Sequence, residues 1–396
     1  MFTRITLRFA IAFLLGAVLF IPLAPKLEAQ DQSPQPGRFV AHEWGTFTSV
    51  LTADGKAQLW NPLGGPSELP SFVYRSSGAR QCFKGRGMDL ALVRMETPVV
   101  YFYADRDVRA SVKVDFPRGC FSEWYPLARA ERQTINWNGF VAQPGAKENF
   151  PVDKSRSHYY PARETDAAPL SLGDEQKVEQ EKFLFYRGFG NFDLPLSVKL
   201  KDDRVVVRSA WPDEVAQVIL FENRGGRSGW RIHGPLNGEA AIARPEFDQS
   251  VEPLLREFEK TLVGQGLYEK EAAAMIKTWR DSWFEEGLRV FYILPRRATD
   301  AILPITIKPQ PTELSRVFVG RAEIITPEME REVLTAAQLF GENSPKARVA
   351  AIDSVRRYGR FADPVLREAM KSATDNATRA AIDELIAVIA NPAGQR

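Results

Sequence analysis

The amino-acid sequence predicts an α+β protein with an antiparallel β-sandwich-like body, an inserted helical hairpin and a C-terminal HEAT-like helical tail. Between residues 181 and 233, apolar residues alternate with polar ones and short connections separate the runs, as in antiparallel strands. At about Arg244 the apolar period changes from two to 3.6, which predicts helices. After Ile325 the helical period returns with repeated proline caps, which predicts a separate tail.

The composition is that of an ordinary globular protein. The chain has 396 residues, 44% of them hydrophobic, and this length has room for two or three domains. Lys and Arg number 52 against 50 Asp and Glu, so the net charge is only +2. Because no strong positive field covers the chain, we predict no nucleic-acid partner.

Residues 1–29 are predicted to be a signal peptide. An apolar run at 9–23 follows two arginines, and Ala29 offers a small residue for cleavage. The run is shorter than the ~20 apolar residues of a membrane span, and an uncleaved anchor helix is the alternative. Cleavage places the mature chain in the periplasm or outside the cell, with residues 30–37 as a tether and no later membrane span.

The two cysteines predict one disulfide bond. Cys82 and Cys120 form an even pair in an exported chain, and neither lies in a CxxC motif or beside a histidine. A reactive cysteine is the weaker alternative for the same reason. In the chain-entropy model, closing this loop stabilises the fold by roughly 4 kcal/mol.

The body is predicted to span residues 38–243. A strand is expected at 39–50, a strand buried on both faces at 99–103, and alternation continues to residue 116, which together indicate two packed sheets. Strands at 194–207 and 218–232 each turn back through a short connection, so we predict an antiparallel meander.

Three stretches resemble one protein family. They are HEWGTFTSV at 42–50, METPVVYFY at 95–103 and TWRDSWFEEGLRVFYILPR at 278–296. Together they resemble a family of uncharacterised secreted bacterial proteins with an N-terminal HEWGTFTSV motif, over most of the chain up to about Glu330. The resemblance implies export but neither an activity nor a cofactor.

Residues 244–287 are predicted to form a helical hairpin inserted into the body. Ser250 can cap a first helix with an apolar face, and the second helix has a stripe that includes Trp279 and Trp283. We interpret these tryptophans as core packing. Strands at 288–294, 301–307 and 316–325 then complete the body, so that residues 288–325 belong to it.

Residues 326–396 are predicted to form the helical tail. Thr326, Ser344 and Asp363 each precede a proline, a pattern typical of helix starts. Each helix has an apolar stripe, for example Val349, Ile352 and Val355. Stacked helix pairs of this kind resemble a short HEAT-like solenoid, and we expect an accessory module docked on the body.

The function is predicted to lie in the long loop at 126–180, which is poor in periodicity, because loops on a rigid scaffold often carry function. His158 is the candidate proton-transfer group and Arg163 the candidate anchor for an anion. The aromatic rings of Tyr159 and Tyr160 are candidate stacking surfaces. A loop pinned by tyrosine packing and an Arg/Glu pair is the structural alternative.

Hydrolysis requires two acids, for which Glu123 and Glu164 are the candidates. The sequence holds no GxGxxG or P-loop motif, and Gly226-Arg227-Ser228-Gly229 lacks the last glycine of a nucleophile elbow. His42-Glu43 is not HExxH, and a strand directs the two side chains to opposite faces.

A metal site with histidine ligands can use only His42, His158 and His233. Two of them beside Glu43 or Glu123 would make a two-His, one-carboxylate site, but no spacing gathers them. No metal site is therefore predicted, and the cofactor stays unknown.

Two functions therefore remain open. The first is an exported binding or scaffold protein whose partner is a small molecule, a glycan or a protein. The second is a secreted hydrolase, for example on glycans, with its site in the 126–180 loop. Two carboxyl groups facing each other beside His158 favour the hydrolase, whereas an exposed apolar groove on the tail favours the scaffold. The sequence leaves open whether the protein is an enzyme.

Overall fold

Two strands from opposite ends of the body form the centre of the protein. In the computed structural model, strand β1 (Phe39–Thr52) pairs in parallel with β18 (Glu313–Ile325) along almost its whole length. The structure describes residues 37–63, 69–76, 90–155, 157–173, 177–342 and 344–390. The predicted signal peptide and nearly all of the predicted tether lie outside these residues.

A nine-stranded sheet extends to both sides of this central pair. On the β1 side follow β3 (Val93–Ala104), β10 (Leu184–Gly190), β5 (Gly119–Tyr125) and β2 (Tyr74–Arg75). On the β18 side follow β16 (Gly287–Ile293), β13 (Val218–Arg224) and β14 (Arg227–His233). All of these added strands pair antiparallel.

Two smaller sheets accompany the central one. The first contains β17 (Ile305–Lys308), β4 (Val108–Asp115), β7 (Thr134–Ala142), β8 (Leu170–Gly173) and β9 (Val178–Glu181), with β6 (Arg129–Ala130) paired to β7. The second contains β11 (Leu196–Lys201), β12 (Arg204–Ser209) and β15 (Glu239–Ala243). The chain is therefore a mixed α and β protein with several sheets and more strand than helix.

The predicted meander is wrong, although both of its hairpins are confirmed. The hairpin of β11 and β12 and the hairpin of β13 and β14 lie in different sheets. The reason is that β12 pairs with β15, whereas β13 pairs with β16. Alternating apolar residues specify a strand and its buried face, but not a partner strand that lies far away in the sequence.

Two further strand predictions need correction. The stretch at 126–180 is not one long loop, because it contains β6, β7, β8 and β9. Strand β7 alternates buried Ile135 and Trp137 with polar neighbours, and its asparagines and glycine hide the pattern. The expected strand at 301–307 is instead the end of helix α3 (Arg296–Ile302) followed by β17.

The two faces of the central sheet bury different elements. One face packs against the two smaller sheets in a core that includes Phe47, Phe102, Trp137 and Val207. The other face is covered by α1 (Glu252–Gly264) and α2 (Glu269–Trp283). The prediction that the tryptophans of α2 are core residues is confirmed, because Trp279 and Trp283 are both buried.

The described part of the tail contains four helices. They are α4 (Pro327–Gly341), α5 (Pro345–Tyr358), α6 (Asp363–Ser372) and α7 (Asn376–Ala390), with a short 3-10 helix at Gly359–Ala362. Thr326 and Ser344 cap α4 and α5 by accepting backbone N–H bonds, whereas Asp363 is the first residue of α6 rather than its cap.

The predicted stripe of α5 is partly wrong, because Val349 is 59% exposed and the buried positions of that helix are Ala351, Val355 and Tyr358.

The tail and the body share one apolar cluster. Val50 and Ile325 of the two central strands and Trp60 of the following loop are buried among tail residues such as Val333 and Phe361. This packing ties the tail to the centre of the sheet.

Cys120, in β5, is buried at the opposite end of that strand from Tyr125. Cys82 lies outside the described residues, so the predicted disulfide bond stays a prediction.

Candidate functional site

Tyr159 and Arg163, which are predicted to contact a ligand, form hydrogen bonds within the protein. The Tyr159 hydroxyl donates to Oε2 of Glu181 at 2.8 Å, and its ring is buried. Arg163 donates from Nε and Nη2 to the two oxygens of Glu181, at 2.9 and 2.7 Å, and from Nη2 to the carbonyl of Pro151. Burial raises the pKa of Glu181, and the Arg163 guanidinium opposes that shift. The structural alternative for this loop, an Arg/Glu pair with packed tyrosines, therefore describes these two residues.

The remaining candidates of the loop lie near one another along the chain but have separate partners. His158 is half-buried, with its ring edge-on to Trp279 at 6.3 Å. The Tyr160 hydroxyl bonds to Asp153 at 2.8 Å. Glu164 is exposed and accepts from Nζ of Lys277 on α2 at 2.6 Å.

The two predicted acids occupy different elements. Glu123 lies on β5, where it accepts a hydrogen bond from Ser122, and Glu164 lies against α2. The two acids therefore have separate partners, and their role as a hydrolytic pair stays a prediction.

The stretch at 126–180 does border a cleft, but with residues other than the predicted ones. This cleft has a volume of about 520 Å³ and an open side. We call it the loop cleft. Its walls are the end of β3 and two segments of the long stretch, with Arg38 and Lys182 beside them: Arg38, Tyr103, Ala104, Asp105, Pro144, Gly145, Ala146, Glu148, Thr165, Asp166, Ala167, Ala168, Pro169 and Lys182.

Lys182 is the buried charge of the loop cleft. Its side chain is only 7% exposed, whereas its partner Glu148 is 51% exposed. The ammonium group donates to Glu148 and to the carbonyl of Thr165, and it lies 5.8 Å from the centroid of the Phe150 ring. A buried ammonium needs a negative partner, and here that partner comes from the solvent side.

Arg38 and Tyr103, which also line the loop cleft, form hydrogen bonds at the start of α2. Nη2 of Arg38 donates to the Tyr268 hydroxyl at 2.6 Å, and the Tyr103 hydroxyl donates to Oε1 of Glu271 at 2.8 Å. Burial, and then the Glu271 carboxylate, raise the pKa of Tyr103 far above its ordinary value. Tyr103 therefore stays protonated and acts as a donor rather than a base.

A buried histidine lies behind Tyr103. Nδ1 of His42 is 2.8 Å from Oε2 of Glu271, and the His42 ring packs against the rings of both Tyr103 and Tyr268, which also contact each other. Since a carboxylate only accepts, Nδ1 carries the proton of this bond. Nε2 has no hydrogen-bond partner and lies 3.6 Å from Oε1 of Glu313.

The prediction that His42 and Glu43 point to opposite faces of their strand is confirmed. His42 bonds to α2 on one face, whereas Glu43 accepts from Tyr186 and Arg316 on the other. Within the described part of the chain, no three His, Cys, Asp or Glu side chains are grouped to hold a metal ion. His233, the third histidine, bonds to the carbonyl of Gly234 at the end of β14.

Sequence reasoning missed Lys182, Glu271 and Arg38. Their partners are remote in the chain: 34 residues separate Lys182 from Glu148, and 229 separate His42 from Glu271. Glu271 did carry one signal, because it lies at the third position of α2 and accepts the backbone N–H of Tyr268.

None of the described helices is long and apolar enough to cross a membrane.

No family model matches the chain, and no curated protein matches it. Among solved structures the chain is similar to the yeast delta-COP-I mu-homology domain, at 10% identity and a TM-score of 0.29, over 73% of this chain and 99% of that one. The same domain complexed with a Dsl1 WxWxV peptide gives 8% identity with the same TM-score and the same coverage. Likenesses at this level support no inference about the fold or the function.

Proposed function

We propose that this chain is an exported binding protein that holds a small acidic molecule in the loop cleft. The observation that carries the proposal is Lys182, whose side chain is 7% exposed and whose carboxylate partner, Glu148, is half exposed. A carboxylate of a ligand can replace Glu148 without leaving a buried charge unpaired. The proposal of export depends on the signal-like N-terminus.

The other walls of the loop cleft suit a ligand rich in hydroxyl groups. Asp105 and Asp166 line it with carboxylates that accept hydrogen bonds, and Tyr103 contributes an aromatic ring. The segment Pro144-Gly145-Ala146 forms another part of the wall. A uronic acid or a hydroxy acid combines a carboxylate with hydroxyl groups and therefore fits this lining.

The test is a pair of calorimetric titrations with galacturonate and galactose, which differ by one carboxylate. We expect the purified mature protein to bind galacturonate and not galactose. Lys182→Met should reduce the affinity for galacturonate at least about tenfold, since hydrogen bonds to charged groups contribute about 1.5–3 kcal/mol. Lys260→Met on the exposed face of α1 is the matched control and should bind as the wild type does. Equal binding of both sugars, or unchanged binding by Lys182→Met, would contradict the proposal.

Hydrolysis of an acidic glycan is the second candidate, and the His42–Glu271 pair favours it. A histidine oriented by a buried carboxylate is a common general base, and the pair lies behind a wall of the loop cleft. If the wild type releases reducing ends from polygalacturonate and His42→Gln does not, the result supports this candidate. If the wild type releases no reducing ends, hydrolysis of polygalacturonate is ruled out.

We also propose that the tail of this binding protein contacts a protein partner. We interpret the tail as two HEAT-like helix pairs because α4 contacts α5, α6 contacts α7, and α4 also contacts α7. Leu334 of α4 and Val349 of α5 are exposed apolar residues of this module. Pull-down with a Leu334→Lys, Val349→Lys variant against the wild type tests it: loss of a captured partner supports the interpretation, and identical capture contradicts it.

A further inference from the structure

The helix-covered face of the central sheet also buries a group of arginines near the tail. We call Arg94, Arg187, Arg289, Arg321 and Arg360 the arginine cluster. Arg289 and Arg321 are 0% exposed, and the side chains of Arg94 and Arg360 are 14% and 17% exposed. Three carboxylates accompany them: Glu96, Glu285 and Glu323.

Two of the carboxylates are shared between arginines. Oε1 of Glu96 lies 3.2 Å from Nε of Arg94 and 3.2 Å from Nη1 of Arg360. Glu323 pairs with Arg289 at 2.9 Å and also accepts from Arg321. Apart from Arg94, four of the described guanidinium groups, those of Arg187, Arg289, Arg321 and Arg360, therefore lie among these three carboxylates, and a buried excess of positive charge favours an anion.

Arg187 is the member of the arginine cluster whose hydrogen bonds go to a hydroxyl. Its Nε and Nη2 donate to Oγ1 of Thr97 at 3.1 and 3.0 Å, and its guanidinium lies 5.8 Å from the Phe185 ring centroid. Thr97 has a φ of 47°, which is uncommon for a β-branched residue. Backbone strain of this kind is often found at functional sites.

Four of the described buried polar atoms in this region have no hydrogen-bond partner. The buried donors are Nη1 of Arg321 and Nε of Arg360. Oγ1 of Thr46 is also without a partner, and Thr46 lies directly across from Glu96 in the pairing of β1 with β3. Oε1 of Glu96 receives no well-aligned hydrogen bond, although two guanidinium groups lie near it.

Arg321 and Arg360 come from the body and the tail, respectively, and converge on one ring. Their guanidinium carbons lie 5.0 and 5.2 Å from the centroid of Phe361, on the 3-10 helix that precedes α6. Arg360 also lies 5.9 Å from the ring centroid of Trp60. The unused donors of Arg321 and Arg360 therefore belong to two guanidinium groups that both lie near Phe361, at the joint between the body and the tail.

We propose that the arginine cluster is a binding site for a protonated phosphate group, held by Arg321, Arg360 and Thr46 and in contact with Glu96. Guanidinium groups bind phosphate oxygens in a planar, charge-assisted geometry. A phosphate that retains one proton donates its P–OH to Oε1 of Glu96, whereas sulfate has no proton to donate and meets the carboxylate as a like charge. The bound group joins Arg321 of the body to Arg360 of the tail.

The test is a titration of the full mature protein with inorganic phosphate and with sulfate at equal ionic strength and neutral pH. We expect phosphate to bind at one site at least about tenfold more tightly than sulfate, because only phosphate satisfies Glu96. Glycerol 3-phosphate, in which an ester occupies one oxygen, shows whether the site takes a phosphomonoester as well as free phosphate. If glycerol 3-phosphate also binds more tightly than sulfate, the site accepts phosphomonoesters as well. If glycerol 3-phosphate does not bind, the site accepts only free phosphate.

Three variants sharpen this test. Arg360→Gln should abolish phosphate binding, and Glu96→Gln should bring sulfate to within about threefold of phosphate, because the amide can donate to it. Arg227→Gln, at an exposed ion pair with Asp248, is the matched control and should behave as the wild type. If Arg360→Gln does not fold, Thr46→Val removes one contact with little change of shape.

A wild type that binds neither anion, or prefers sulfate, overturns the proposal whatever the variants do. Phosphate affinity that is unchanged in Arg360→Gln, or in Thr46→Val where the first variant is unfolded, also overturns it.

Discussion

The loop cleft and the arginine cluster both bury positive charge, but they neutralise it in different ways. In the loop cleft one ammonium, Lys182, is paired with a half-exposed carboxylate. In the arginine cluster the guanidinium groups share carboxylates such as Glu96 and Glu323, which are themselves buried. In the first arrangement a ligand from solution can replace the existing partner, whereas in the second the existing pairs also hold separate elements of the fold together and the proposed phosphate adds to them.

This difference predicts where a substitution changes stability and where it changes binding. Removing one partner of a buried charge pair leaves the other charge uncompensated, which is strongly destabilising. Removing an exposed partner changes the free energy of unfolding little, because water replaces it.

The largest expected effect is that of deleting the tail. Its sequence pattern alone suggests an accessory module, but Val50, Trp60 and Ile325 of the body are buried in its core, and Arg360 pairs with Glu96. We therefore expect a chain that ends at residue 326 to lose cooperative thermal unfolding, measured by circular dichroism. A soluble truncated protein with a wild-type melting curve would show that the tail is accessory.

The next effect concerns the buried pair of Glu43 and Arg316, whose side chains are both 0% exposed. We expect Glu43→Gln to lower the free energy of unfolding by about 3–5 kcal/mol, because it leaves the Arg316 guanidinium without this buried partner. Urea denaturation measures the change. The control is Asp248→Asn, which breaks an exposed pair with Arg227 and should lower it by less than ~1 kcal/mol. Equal losses of unfolding free energy in Glu43→Gln and Asp248→Asn would contradict the distinction between buried and exposed ion pairs.

The predicted disulfide bond between Cys82 and Cys120 should stabilise the body by roughly 4 kcal/mol. Peptide mapping of secreted protein without reductant should find the two cysteines joined, and Cys82→Ser with Cys120→Ser should unfold at a lower urea concentration. Two free thiols in native material would be evidence against the bond.

Acid should weaken the arginine cluster through Glu96. Burial raises the pKa of this carboxyl, but Arg360, Arg94, Arg321 and Arg187 outweigh burial and lower it from 4.5 to about 2. A depressed folded-state pKa means that the stabilisation is present above pH 4.5 and is lost as the pH falls toward 2. At about 1.4 kcal/mol per pH unit, it amounts to roughly 3 kcal/mol.

The measurement is urea denaturation of the wild type and of Glu96→Gln between pH 6 and pH 2.5. The difference between their free energies of unfolding should shrink as the pH falls. Glu164→Gln, at an exposed pair with Lys277, is the control and should follow the wild type at every pH. A constant difference between the wild type and Glu96→Gln would contradict the assignment.

Local sequence patterns predicted most of the helices and strands but not their long-range neighbours. The caps at Thr326 and Ser344 and the apolar stripe of α2 were correct because they depend on residues three or four positions apart. The pairing of β12 with β15 was missed, because the alternation within a strand does not name its partner.

The candidate site was predicted less well than the fold. The long stretch at 126–180 does border the loop cleft, yet its most polar side chains, such as Arg163, are held by Glu181 within the protein. A polar side chain in the sequence shows what it can bind, but not whether the fold already supplies the partner. In contrast, a polar residue of the stretch at 42–50 bonds directly to one of the stretch at 95–103, because the Thr48 hydroxyl donates to the Glu96 carboxylate.

The central claim, that Lys182 receives the carboxylate of a ligand, is tested most directly by a crystal structure of the protein with galacturonate. The account predicts density in the loop cleft with the sugar carboxylate within about 3 Å of Nζ of Lys182 and with Glu148 displaced from it. Galacturonate bound elsewhere on the protein, or a loop cleft in which Glu148 stays paired with Lys182 at saturating galacturonate, would contradict it.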